Sequence, residues 1–138
     1  MKTIDLSYLD IPRDSPLQEI LRAYGEQISS GTYNMVSYVL TSTKQEDELK
    51  AMSFYLIAPE LNKQHQLLRI DILDVANLSV KLWPLSIEKF DQYNINYFAN
   101  DYSQFDDKIG DILNSVIVKQ IISFYVSGVK FKREVRGS

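Results

Sequence analysis

The feature that most constrains this chain is a long apolar pattern towards its C-terminal end. Between Ser103 and Tyr125 the residues Phe105, Ile109, Ile112, Leu113, Val116, Ile117, Ile121, Phe124 and Tyr125 recur mostly at steps of three and four. That is the period of one face of an α-helix, sustained for about six turns at 3.6 residues per turn. Ser103 with Asp106 three residues on has capping-box spacing, and Gly128 is placed to close the helix. Asp106, Asp107 and Asp111 near its start and Lys119 towards its end suit the helix macrodipole. A helix so apolar on one side must lie across a second apolar surface.

The middle of the chain supplies that surface. Ser15 at an N-cap, Pro16 at the first helical position and Gln18 in the capping box start an earlier helix, whose stripe Leu17, Ile20, Leu21, Tyr24 and Ile28 ends near Gly31. Gly25 inside it costs about 1 kcal/mol relative to alanine and marks a site of close packing. From Tyr33 the period changes to two. Strands are expected over 33–43, over 49–58 with Met52, Phe54 and Leu56 on one face, over 68–72, and over 78–83, with the charged turn Lys44 to Glu48 between the first two. The links are too short for parallel crossovers, so neighbouring strands run antiparallel. Val129 to Val135 alternates again, as a short edge strand or a frayed tail would.

The expected architecture is a single α+β domain over residues 1–138: an N-terminal helix, a four-stranded antiparallel meander, and a long C-terminal helix packed on one sheet face. Arg136-Gly137-Ser138 has the look of an expression remnant and carries no functional weight. The apolar runs are interrupted by charge too often for a membrane span, and residues 1–10 lack the apolar run of a secretory signal. With no cysteine there are no disulfides, thiolate metal ligands or thiol nucleophiles, which fits a cytoplasmic protein. A net charge of −3 disfavours nucleic acid as a partner.

Catalytic chemistry finds little footing. The lone histidine, His65, sits in the polar stretch Asn62 to Gln66 and reads as a solvated loop residue. Asp71 and Asp74 are three apart on a strand and point to opposite faces, with Asp71 expected in solvent beside Arg69. The five glycines are scattered, so no phosphate-cradling loop is built, and no cofactor or metal is expected. Lys130, Lys132, Arg133 and Arg136 read as cations following a helix end rather than as a nucleic-acid patch.

One segment remains. Ser86 to Asp107 carries Phe90, Tyr93, Tyr97, Phe98, Tyr102 and Phe105 among Glu88, Asp91, Asp101, Asp106 and Asp107, with Lys89 as its only cation. These rings either cap the end of the sheet or form a recognition surface, since tyrosine is favoured in interfaces and surrounding acids steer a basic partner. On the second reading Glu88, Asp91, Tyr93, Tyr97, Asp101 and Tyr102 are the candidate contacts, and the chain is a small acidic binding protein without catalysis. Its most concrete form is a bacterial immunity-type inhibitor that covers the active site of a basic toxin, such as a nuclease. The alternative is an escort or adaptor that binds an extended segment by strand addition, and a small pocket enzyme using Asp71 ranks last. Whether the chain is a monomer or a homodimer stays open at this stage.

Overall fold

The computed structural model describes residue 4 and residues 16–73, 77–82 and 95–137. Helix α1 spans Pro16–Gly31, followed by strands β1 (Ser37–Gln45) and β2 (Glu48–Ala58), a 3-10 turn (Pro59–Leu61), and strands β3 (Lys63–Ile72), β4 (Leu78–Leu82) and β5 (Ile95–Ala99). Helices α2 (Tyr102–Leu113) and α3 (Val116–Gly137) complete the order. The α+β class, the N-terminal helix, the antiparallel sheet and the long C-terminal helix are as expected.

The sheet has five strands rather than four, in the order β1-β2-β3-β4-β5 and antiparallel throughout. The added strand, Ile95–Ala99, lies inside the aromatic segment Ser86 to Asp107, which the four-strand reading left outside the sheet. Its pairing with β4, from Leu78 against Ala99 to Leu82 against Ile95, is a long-range contact that alternation over five residues cannot announce.

Each strand turns one face to the helices. Met52, Phe54, Leu56 and Ala58 of β2, Leu68 and Ile70 of β3, Leu78, Val80 and Leu82 of β4 and Ala99 of β5 are buried there. They meet Leu17 and Leu21 of α1, Phe105, Ile109 and Ile112 of α2, and Val118, Ile121 and Tyr125 of α3 in one core. The outer face is more polar. There Asp71 pairs with Arg69 at 3.0 Å and with Lys81 at 3.6 Å, as its position beside Arg69 led one to expect. Asp71 therefore lies on the side of the sheet away from the helices and lines no pocket between the layers; Asp74 lies outside the described residues.

A bulge explains one misreading. The β2–β3 register shifts between Phe54 and Tyr55, so that Phe54 faces Leu68 while Tyr55 faces Gln66, and Leu67 is the extra residue. Leu67 and Leu68 are both buried, and alternation resumes in reverse phase before them. The stretch Asn62 to Gln66, read as a polar turn, is mostly strand, and His65 is a half-buried β3 residue opposite Leu56.

The long apolar pattern is two helices, not one. α2 and α3 meet at a bend of 54°. Asn114 closes α2, its side-chain amide and its backbone N–H both donating to the Gly110 carbonyl, and Ser115 opens α3 with its hydroxyl 3.5 Å from the Val118 N–H. Short polar side chains that compete for backbone groups favour such a break. The start of α2 is capped by Asp101 rather than Ser103. α3 then continues through Gly128 to Gly137, so 129–135 is neither strand nor tail. The break also turns two of the nine expected core residues outward: Val116 is 69% exposed and Phe124 62%. α3 rests on α2, β2 and the 3-10 turn, where Arg133 forks onto Glu60 at 2.6 and 2.9 Å and Lys132 donates to the Glu60 carbonyl. The Arg133 guanidinium holds the Glu60 carboxyl below the usual carboxylate range.

The β1–β2 hairpin closes through Glu46 and Asp47, both at positive φ (54° and 63°), the pattern of a two-residue primed turn. Asp tolerates the left-handed region better than Glu, but glycine adopts it with no steric cost. Asp47→Gly is expected to raise stability by about 1 kcal/mol, read as a higher urea midpoint at unchanged slope.

Candidate functional site

The described part of the aromatic, acidic segment runs from β5 through the start of α2. Asn100 and Asp101 leave the sheet edge, and Asp101, with extended backbone, accepts a hydrogen bond from the Gln104 N–H at 2.8 Å. The Gln104 side chain answers by accepting from the Asn100 N–H at 2.9 Å. This reciprocal cap fixes where α2 begins. It places the Asp101 carboxylate at the positive end of the helix while leaving the residue exposed.

The other candidates are more occupied than expected. Tyr97 is half-buried on the inner face of β5, with the Lys108 ammonium 5.3 Å from its ring centroid. Tyr102 is half-buried against the core. Tyr97, Asp101 and Tyr102 thus come together at the β5–α2 junction, and Asp101 is the exposed member. Phe98 points to the outer face and is 61% exposed, whereas Phe105 is fully buried. Glu88, Asp91 and Tyr93 lie outside the described residues.

Along α2 the exposed acids divide by direction. Asp107 and Asp111, four apart, share one solvent-facing stripe. Asp106 turns towards α1, where the Tyr24 hydroxyl donates to its Oδ1 at 2.5 Å, with the Asp106 main-chain oxygen at 3.1 Å. Between the two helices Glu19, Ile20, Ala23, Tyr24, Gln27 and Asp106 line a shallow cleft of ≈ 350 Å³. Tyr24 and Glu19 were not among the sequence candidates. Tyr24 sits at core spacing in α1, and which helix its hydroxyl meets is decided only when α2 is laid beside α1.

The pairing leaves an electrostatic mark. The hydrogen bond to Asp106, then burial, then the negative field of Asp106, Asp107 and Asp111 push the Tyr24 phenol up to about 12. The folded state thus keeps a proton that the unfolded chain releases near pH 10. Stability is fully present below that value and falls as pH rises towards 12. Burial also raises the Tyr38 and Tyr125 phenols, so Tyr24→Phe is expected to reduce this alkaline loss in part, and tyrosinate absorbance should show one fewer late-titrating phenol in the variant than in the parent.

Among the described residues no three His, Cys, Asp or Glu side chains are grouped to hold a metal ion, and no buried side-chain polar atom is left without a partner. No single described helix is long and apolar enough to cross a membrane. Charge, by contrast, is sorted. α3 carries Lys119, Lys130, Lys132, Arg133 and Arg136 against Glu134 alone, a net +4 in a chain of −3. Asp101, Asp107, Asp111 and Glu19 are exposed at α2 and α1. Comparison with protein-family models, with curated proteins and with solved structures finds no significant match.

Proposed function

We propose that this chain is a protein-binding domain whose acidic α1–α2 end docks a cationic protein. Its most concrete form is a cytoplasmic, bacterial immunity-type inhibitor that covers the active site of a toxin. The observation that carries this reading is that Asp107 and Asp111 share one exposed stripe of α2, with Asp101 exposed at the start of that helix, while Tyr24 and Asp106 line the shallow cleft between α1 and α2. Acids gathered on one side of a molecule focus a negative field and raise the encounter rate with a basic partner, and a tyrosine-lined cleft beside them offers apolar area at low entropic cost. Of the residues chosen from sequence, Asp101 adds an exposed carboxylate to this end, and Tyr97 and Tyr102 are half-buried at the β5–α2 junction beside it.

The test is kinetic. With the partner captured by the purified domain, Asp107→Lys combined with Asp111→Lys is expected to lower the association rate constant by about tenfold at low salt, with the difference shrinking as salt screens it. Equal association rates for the parent and the double variant overturn the assignment. A second reading, strand addition, draws on β1, a nine-residue edge strand whose residues from Thr41 to Gln45 are all exposed. Hydrogen exchange of the complex separates the two. Protection gained on α2 supports the acidic face, and protection gained along β1 supports strand addition.

A further inference from the structure

α3 presents a second apolar side that its own domain does not cover. Val116, Phe124 and Phe131 are 69%, 62% and 68% exposed and fall along one stripe of the helix, about 22 Å long at 1.5 Å per residue. Beside the stripe, near the helix start, Val116, Lys119, Gln120, Ser123, Phe124 and Ser127 form a shallow hollow of ≈ 380 Å³. These residues are spaced three and four apart, as are the four that make a hole for a side chain of a facing helix. At the other end of the stripe Phe131 projects into solvent. One helix therefore carries both the hole and the knob.

We propose that the occupant of this face is a second copy of the chain, with the two α3 helices packed antiparallel about a twofold axis near Ser127. In that register Phe131 of each copy enters the hollow of the other, and Phe124 lies beside Ser127 of the second copy. An isologous contact of this kind closes on itself and leaves no open edge. Charge selects the direction. Lys119 and Glu134 flank the stripe on the same side, and neither has an ion-pair partner among the described residues. Running antiparallel sets Lys119 of one copy against Glu134 of the other, twice. In a parallel pair Lys119 and Glu134 stay fifteen residues, about 22 Å, apart along the axis and on opposite flanks, so the two charges do not meet. The small Ser123 and Ser127 let the helices approach closely. The acidic α1–α2 end is not part of this contact, so the proposal stands or falls independently of the function proposed above.

The experiment is sedimentation equilibrium on the full chain and its variants, with thermal unfolding as the check on folding. The parent protein is expected to be a dimer, and Phe131→Glu a monomer with an unchanged fold, because the side chain is exposed. Lys119→Glu and Glu134→Lys are each expected to weaken the dimer several-fold, and the double reversal to restore it. The chain has no cysteine, so Ser127→Cys supplies a single thiol near the twofold axis and is expected to form a disulfide between copies on oxidation, whereas Thr41→Cys on β1 is not. A parent that stays monomeric at the highest concentration reached overturns the proposal. So does a dimer that survives Phe131→Glu, or one that cross-links through position 41 in place of 127.

Discussion

Phe54→Ala is expected to destabilise the fold by about 3–5 kcal/mol, the range for truncating a fully buried aromatic residue. Phe54 has no exposed surface and sits on β2, between Leu40 of β1 and Leu68 of β3. Its ring stacks on that of Tyr38 with centroids 5.7 Å apart and planes 12° from parallel. Truncation removes the apolar area, the ring pair and the support under Tyr38 together, and strands on both sides hold the backbone so that the hole cannot close. The measurement is the urea midpoint of the variant against the parent. Phe98→Ala serves as the control. It stands on the outer face, 61% exposed, and is expected to change stability by less than about 1 kcal/mol.

Gly25→Ala is expected to be the second large loss, roughly 2 kcal/mol net, although alanine is the better helix former by about 1 kcal/mol. A methyl group at this position falls 2.5 Å from Cγ and Cδ1 of Tyr38 and 2.6 Å from Cδ2. The ring cannot retreat. It is stacked on Phe54 behind, and its hydroxyl donates to Glu26 at 2.6 Å, one residue along α1 from Gly25. Two other helical glycines supply the contrast. At Gly128 the nearest atom is the Leu61 Cδ1 at 2.8 Å, the free end of a flexible side chain, so Gly128→Ala is expected to be close to neutral. At Gly110 a methyl group meets the Tyr24 hydroxyl at 3.0 Å, so the tip of that side chain has to give by a few tenths of an ångström. If the clash is the cause, Gly25→Ala combined with Tyr38→Ala loses less than the sum of the two single changes in thermal unfolding.

These two sites also mark how far sequence reasoning reaches. Gly25 stood out because a glycine at helical spacing costs stability and needs a reason, and close packing was the reason expected. That Tyr38 is the neighbour follows only from α1 lying along β1. The helix ending near Gly31, a charged turn within Lys44 to Glu48, and the inner face of β2 were all readable, because each rests on local periodicity or turn chemistry. β5 was not. Its five residues carry too short an alternation to be told from a loop until β4 offers them a ladder. The bend at Asn114 and Ser115 left a local signal, two capping residues side by side, but nine apolar residues in helical phase on both sides concealed it.

The candidate site was legible in the same uneven way. The acidic, aromatic character of the segment before α2 was visible as composition. Composition does not say which carboxylate caps a helix, which ring is covered by Lys108, or which acid is turned to a tyrosine eighty residues earlier in the chain. Asp101 and Asp107 differ in no way that spacing reveals, yet one holds the start of α2 and the other faces only solvent.

What the sequence determined by itself was the set of elements and their apolar sides, because a side-chain period of two or near four is a property of neighbours along the chain. What the tertiary structure alone decided was which of those sides are matched. The β3 bulge reversed the phase around His65, the 54° bend moved Val116 and Phe124 out of the core, and the docking of α1 on β1 and beside α2 brought Tyr24 to Asp106. Each is a choice between surfaces far apart in sequence, made by the free energy of burying them together.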